Sequence, residues 1–147
     1  MDNLTEQLTA LGLHGVASQL DDIVDLATKR RFGPRQTLEH VAQLEAQTRA
    51  KRSLERRFSR SRIGRFKPMA EFDWAWPKKI DREAVESALA LDFLDGAKNV
   101  ILVAPQGLGK TMIARNICHH AVTTGHSALF ITAAQCLLDL ASQDSAR

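Results

Sequence analysis

Two segments of opposite character flank Ala104-Pro105-Gln106-Gly107-Leu108-Gly109-Lys110-Thr111: the apolar run Asn99 to Val103 before it and an amphipathic run from Met112 after it. A strand-like run, a glycine-bearing loop and a helix in that order make a phosphate-binding loop. Gly107 and Gly109 lack the Cβ atoms that would block close approach, so the loop's backbone N–H groups can turn around a β-phosphate. Lys110 then places a point charge on the β/γ-phosphates, and the Thr111 hydroxyl is suited to ligate Mg²⁺. The start of the following helix adds its partial positive charge. The expected nucleotide contacts are therefore Ala104, Pro105, Gln106, Gly107, Leu108, Gly109, Lys110, Thr111 and Met112, with Thr111 on the metal. Ala104 occupies the place of the loop's usual first glycine, which is compatible if it keeps the negative φ of an extended segment.

Bulk properties narrow the class further. With 147 residues, 44% of them apolar and 25% charged, the chain has the composition of a soluble globular protein. No apolar stretch approaches the length of a membrane span, and Met1-Asp2-Asn3-Leu4-Thr5-Glu6 lacks the basic-then-apolar order of a signal peptide. The expected location is the cytoplasm. Cys118 and Cys136 have no Cys-x-x-Cys spacing and read as buried apolar residues of a reducing compartment. Cys118-His119-His120 makes no metal cluster, because consecutive helix residues point in different directions.

The net charge of +3 hides an asymmetry. Arg49, Lys51, Arg52, Arg56, Arg57, Arg60, Arg62, Arg65 and Lys67 fall in one stretch with Glu55 as its only acid. Such a block suits the phosphates of DNA, and the plainer alternative is a solvated helix face. Trp74 and Trp76 have two readings as well: anchoring a linker against the rest of the protein, or stacking on bases.

Periodicity places these features. Leu4, Leu8, Leu11, Val16, Leu20, Ile23, Val24 and Leu26 recur at helical spacing, broken near Gly12 and Gly15, and predict a short helix followed by a second. Gly33-Pro34 punctuates the chain, and Thr37 is the expected cap of a third helix carrying the basic face. Gly64, Pro68 and Pro77 interrupt the next stretch, which reads as an aromatic linker. Asp81 is the expected N-cap of a helix from Arg82 to Leu91. A helix from Met112 to Thr124 stops at Gly125, and Ala128 to Thr132 reads as a second strand before a helix from Ala133 to Ala141. The expected fold is α/β: a helical N-terminal module (1–67), an aromatic linker (68–80) and the first βαβ unit of a P-loop domain (81–147).

Several segments together resemble the IstB-like family of transposition helper ATPases, in the AAA+ group. They are Leu11-Gly12-Leu13-His14-Gly15-Val16-Ala17, the Arg-rich stretch, Phe72-Asp73-Trp74, Asn99 to Val103 with the loop, and Phe130-Ile131-Thr132-Ala133-Ala134. The resemblance implies ATP and Mg²⁺ as cofactors, DNA and a transposase as partners, and assembly into a homo-oligomer. It also implies a later strand ending in Asp-Glu, a sensor residue and an arginine finger. The chain reaches Arg147 before any of these, so hydrolysis is not expected of it. In the sheet that the resemblance implies, the two strands are not neighbours. The alternative reading is a non-hydrolysing adaptor, akin to a helicase loader, that engages a protein partner.

Overall fold

The computed structural model describes residues 3–144. Met1, Asp2 and residues 145–147, which the sequence reading touches at both ends of the chain, lie outside the described residues. Regular structure among the described residues is helical: α1 (Asn3–Ala10), α2 (His14–Ala17), α3 (Leu20–Arg30), α4 (Pro34–Ser61), α5 (Arg82–Ala90), α6 (Lys110–Thr123) and α7 (Ala133–Asp144), with a 3-10 turn at Met69–Glu71. The chain forms two compact units, Met1–Glu55 and Arg56–Arg147, and α4 runs through the division.

Helix ends follow local chemistry. Pro34 opens α4, three residues ahead of the expected Thr37 cap, because its fixed φ suits a first helical position and it has no N–H to leave unbonded. The Thr37 hydroxyl instead donates to the Gly33 carbonyl at 3.2 Å, within the first turn. Asp81 caps α5 as expected, its carboxylate accepting the Ala84 N–H at 2.9 Å. Gly125, at φ +104°, follows the end of α6.

In the first unit, Val16 and Ile23 are buried, and so is a charge, Glu45, only 6% exposed. Glu45 Oε2 accepts the N–H groups of Gly15 at 2.9 Å and Val16 at 3.2 Å. Since α2 has no capping side chain of its own, a carboxylate from α4 serves in that place. Glu45 Oε1 accepts Arg49 Nε at 2.9 Å, and the same guanidinium donates to the Gly12 carbonyl at 3.3 Å. The Arg49 hydrogen bond, followed by those from Val16 and Gly15, holds the Glu45 carboxyl below the ordinary carboxylate range against the opposing effect of burial. A lowered folded pKa means that this contribution to stability is complete above the unfolded value. It is lost as pH falls through the folded one.

The second unit buries Val122 completely, with Ile113, Ile63, Val85, Ala88 and Leu91. Helix α5 packs on α6. Arg57 Nε donates to the Val122 carbonyl at 3.2 Å, and His119 lies between Phe58 and Phe66, with ring centroids 5.3 and 5.2 Å away. Cys118 is half-buried, and burial raises its thiol pKa. Cys136, expected to be buried, is exposed on α7.

The expected βαβ unit does not form: neither 99–103 nor 128–132 is a strand, and no strand occurs among the described residues. A strand is defined by pairing, and local apolarity cannot supply a partner. The Phe130 N–H donates to the Ser61 carbonyl at the end of α4, at 2.7 Å, rather than to another extended segment. Ile101 and Val103 remain 81% and 88% exposed, with no sheet to bury them.

Gly15 tests the packing of the first unit most sharply. A Cβ there would stand 2.5 Å from Thr48 Oγ1 and 2.7 Å from Thr48 Cβ, and that hydroxyl is held by its 2.9 Å bond to the Leu44 carbonyl. Gly15→Ala is expected to destabilise the protein by roughly 1–3 kcal/mol through overpacking. Urea unfolding followed by helical circular dichroism measures the change, and an unchanged midpoint would contradict the contact.

Candidate functional site

Helix α6 begins without a capping side chain. Its N-cap is Gly109, in the left-handed region at φ +83°, and Gly107 has φ +86°. Both conformations favour glycine over any residue with a Cβ. With no side-chain cap, the N–H groups of the first turn have no partner along the helix, which makes this terminus receptive to an anion. The first turn is closed behind them by Ile113 N–H donating to the Gly109 carbonyl at 3.0 Å.

Ala104 is not among the residues with positive φ, so the usual glycine is not needed there. Its carbonyl accepts Lys110 Nζ at 2.6 Å, and the Pro105 carbonyl accepts the same ammonium at 2.7 Å. Lys110 thus reaches back over the loop, held by two of the ammonium's three protons. Gln106 and Thr111 are exposed, while Leu108 and Met112 are half-buried. Leu108, Ala104, Lys110 and Ile113 border a mostly apolar hollow of about 270 Å³ with Val85, at the start of α5's buried face.

A second hollow, of about 450 Å³, lies on the Thr111 side of the loop. Its walls are Arg65, Phe66, Lys67, Thr111, Met112 and Arg115, so cations, an aromatic ring and a thioether share it with the first turn of α6. Side-chain to backbone bonds fix that wall. Arg115 donates to the Arg65 carbonyl at 2.7 Å, and Asn116 Nδ2 donates to the Lys67 carbonyl at 2.9 Å. Asn116 Oδ1 accepts the Met69 N–H at 3.1 Å. Sequence reasoning missed Arg115 and Asn116, since a lone Asn or Arg inside an amphipathic helix carries no spacing signal.

Phe72 lies directly against the loop. An ideal Cβ on Gly109 would meet its Cε2 at 2.6 Å. Phe72 in turn meets Trp74 edge-on at 4.8 Å, and the Arg82 guanidinium stands 4.7 Å from the Trp74 ring centre. Trp74 therefore has protein neighbours, as the linker-anchor reading expects, whereas Trp76 is 57% exposed.

The basic block is divided in use. Arg49 is engaged by Glu45 and Gly12, Arg57 by Val122, and Arg62, at φ +53°, by Asp139 at 3.1 Å. Lys51, Arg52, Arg56 and Arg60 are exposed on α4, and Arg65 and Lys67 are exposed beyond it. Asp139, the first acid after the loop, accepts Gln135 Nε2 at 2.8 Å; that bond, with Arg62 behind it, holds its carboxyl below the ordinary range.

The donor set fits a phosphate chain: two glycines at positive φ, an uncapped helix start, an ammonium over the loop and an exposed hydroxyl. It fits Mg²⁺ only as one oxygen, from Thr111, since that ion takes its other ligands from phosphates and water.

Comparisons with known proteins show the family. The "IstB-like ATP binding protein" family model matches residues 6–146. The chain is 30% identical over 131 residues to the "Insertion sequence IS21 putative ATP-binding protein" of Pseudomonas aeruginosa, covering 89% of this chain and 49% of the relative. It is 27% identical over 128 residues to the protein of the same description from IS232 of Bacillus thuringiensis, covering 87% and 51%. A similarly described insertion-sequence protein of Mycobacterium tuberculosis is 28% identical over 138 residues, covering 94% and 55%. The chain spans about half the length of these curated relatives. With the family model matching nearly all of its residues, the chain belongs to the IstB-like ATP binding protein family.

Proposed function

We propose that this chain binds ATP with Mg²⁺ through Ala104 to Thr111 and serves, in the cytoplasm, as the helper of an insertion-sequence transposase acting on DNA. The observation that carries the reading is the uncapped start of α6 behind two glycines at positive φ, with Lys110 and Thr111 as its first residues, in a chain of this family. The relatives' names supply the ATP and the insertion sequence.

In this reading Lys110 exchanges its bonds to the Ala104 and Pro105 carbonyls for phosphate oxygens, and the first-turn N–H groups of α6 bind the anion. Met112 follows Thr111 on α6 and borders the hollow that Phe66 and Arg115 also line. The Thr111 hydroxyl would hold Mg²⁺, which would supply charge neutralisation to the phosphates. Asp139 takes no part in the site, because its carboxylate is held by Gln135 and Arg62.

DNA is the partner assigned to the exposed cations, with a homo-oligomer as the assembled form. The ion pairs of Arg49 with Glu45 and of Arg62 with Asp139 favour a second reading, an adaptor that engages a protein, because those cations serve the fold itself. The two readings differ in their dependence on salt.

Two measurements test the proposal. Titration calorimetry of the folded chain with Mg-ATP is expected to give a saturable heat that Lys110→Ala weakens at least tenfold, the loss of a charge-assisted phosphate contact. No heat at millimolar nucleotide would remove the reading. For duplex DNA, four phosphate contacts predict a slope of log K against log salt of about −3.6, and replacing Arg56 and Arg60 by Ser should flatten it by about 1.8. A slope near zero would favour the adaptor.

A further inference from the structure

We infer that the segment from Met69 to Trp74 is a brace on the phosphate loop, with Phe72 as the positioning residue that holds the Gly109 turn; the effect on affinity rests on the nucleotide reading given above.

The brace is fixed at both ends by different chemistry. On its N-terminal side, the Met69 N–H is tied to Asn116 Oδ1 of α6 at 3.1 Å, and Asn116 also bonds the Lys67 and Met112 carbonyls at 2.9 and 2.8 Å. The 3-10 turn then closes with the Phe72 N–H on the Met69 carbonyl at 3.0 Å. Beyond Phe72, the Trp74 ring sits between Phe72 and the Arg82 guanidinium, and Arg82 is tied to Glu86 at 2.6 Å on α5. Between these anchors the Phe72 ring fills the space on the open side of Gly109.

The consequence follows from the geometry of Gly109. Its carbonyl closes the first turn of α6 and its φ aims the N–H groups of Lys110 and Thr111, so rotation there would misdirect the donors that an anion needs. Gly107 has nearly the same φ, +86° against +83°, yet nothing lies within 4 Å of a Cβ built on it. One glycine is demanded by backbone conformation alone, the other by conformation and by a ring. Phe72 therefore acts through Gly109, and Trp74, which touches Phe72, reports on it.

The two glycines provide a test that needs no ligand. The chain has two tryptophans, so Trp76→Phe leaves Trp74 as the sole emitter. In that background Gly109→Ala, whose methyl collides with Phe72, is expected to shift Trp74 emission, while Gly107→Ala, equally strained in φ, leaves it unchanged. Equal shifts in both, or none in either, would overturn the brace. Helical circular dichroism of each variant shows whether α6 survives. In the same chains, Phe72→Ala is expected to weaken Mg-ADP binding about tenfold, whereas Phe72→Tyr, which keeps the ring, stays within about twofold. Equal affinity for Phe72→Ala and the parent would also overturn it. A parent that binds no nucleotide refutes the nucleotide reading, and the glycine pair still decides the brace.

Discussion

The proposed nucleotide site depends on a backbone turn that only glycine makes easily: Gly109 at φ +83°, immediately before an uncapped helix. A helix start with its own Ser or Asp cap would satisfy its first N–H groups internally. Here no side chain caps them, and Lys110 and Thr111 are the first residues of the helix. The turn is held from behind by packing, since the Phe72 ring leaves no room for a Cβ. Conformation, packing and charge thus converge on one helix terminus, and that convergence gives the loop chemical meaning beyond its sequence pattern.

The first unit solves a similar problem in the opposite way. Helix α2 also lacks a cap from its own segment, and its first N–H groups are turned inward onto Glu45 of α4. This explains Leu11 to Ala17 physically: Gly15 must be small to approach Thr48, and its N–H must reach a carboxylate 30 residues away in sequence. Arg49, within the basic run, pairs with that carboxylate. A basic residue inside a charge run can therefore be structural, and the run alone does not reveal which ones are.

Local signals were legible where local chemistry decides. The cap at Asp81, the stop at Gly125, the α6 and α7 periodicities and the acceptability of Ala104 all follow from residue type and near neighbours. Helix α4 began earlier than its Thr37 suggested because a proline at the first position outranked the cap. The two expected strands failed for a different reason. Apolar runs such as Val100 to Val103 announce a wish for burial, but pairing is a long-range property, and Phe130 bonds to Ser61 instead. Likewise the roles of Asn116 and Arg115, which bind backbone carbonyls some 50 residues away in sequence, left no mark in spacing.

The central claim, that the start of α6 is where a nucleotide's phosphates bind, is most directly tested by amide chemical-shift mapping with Mg-ADP. The account predicts saturable shifts concentrated at Gly107, Gly109, Lys110 and Thr111, with smaller ones at Phe72 and Met112. Saturable shifts located elsewhere, with those amides unmoved, would contradict it.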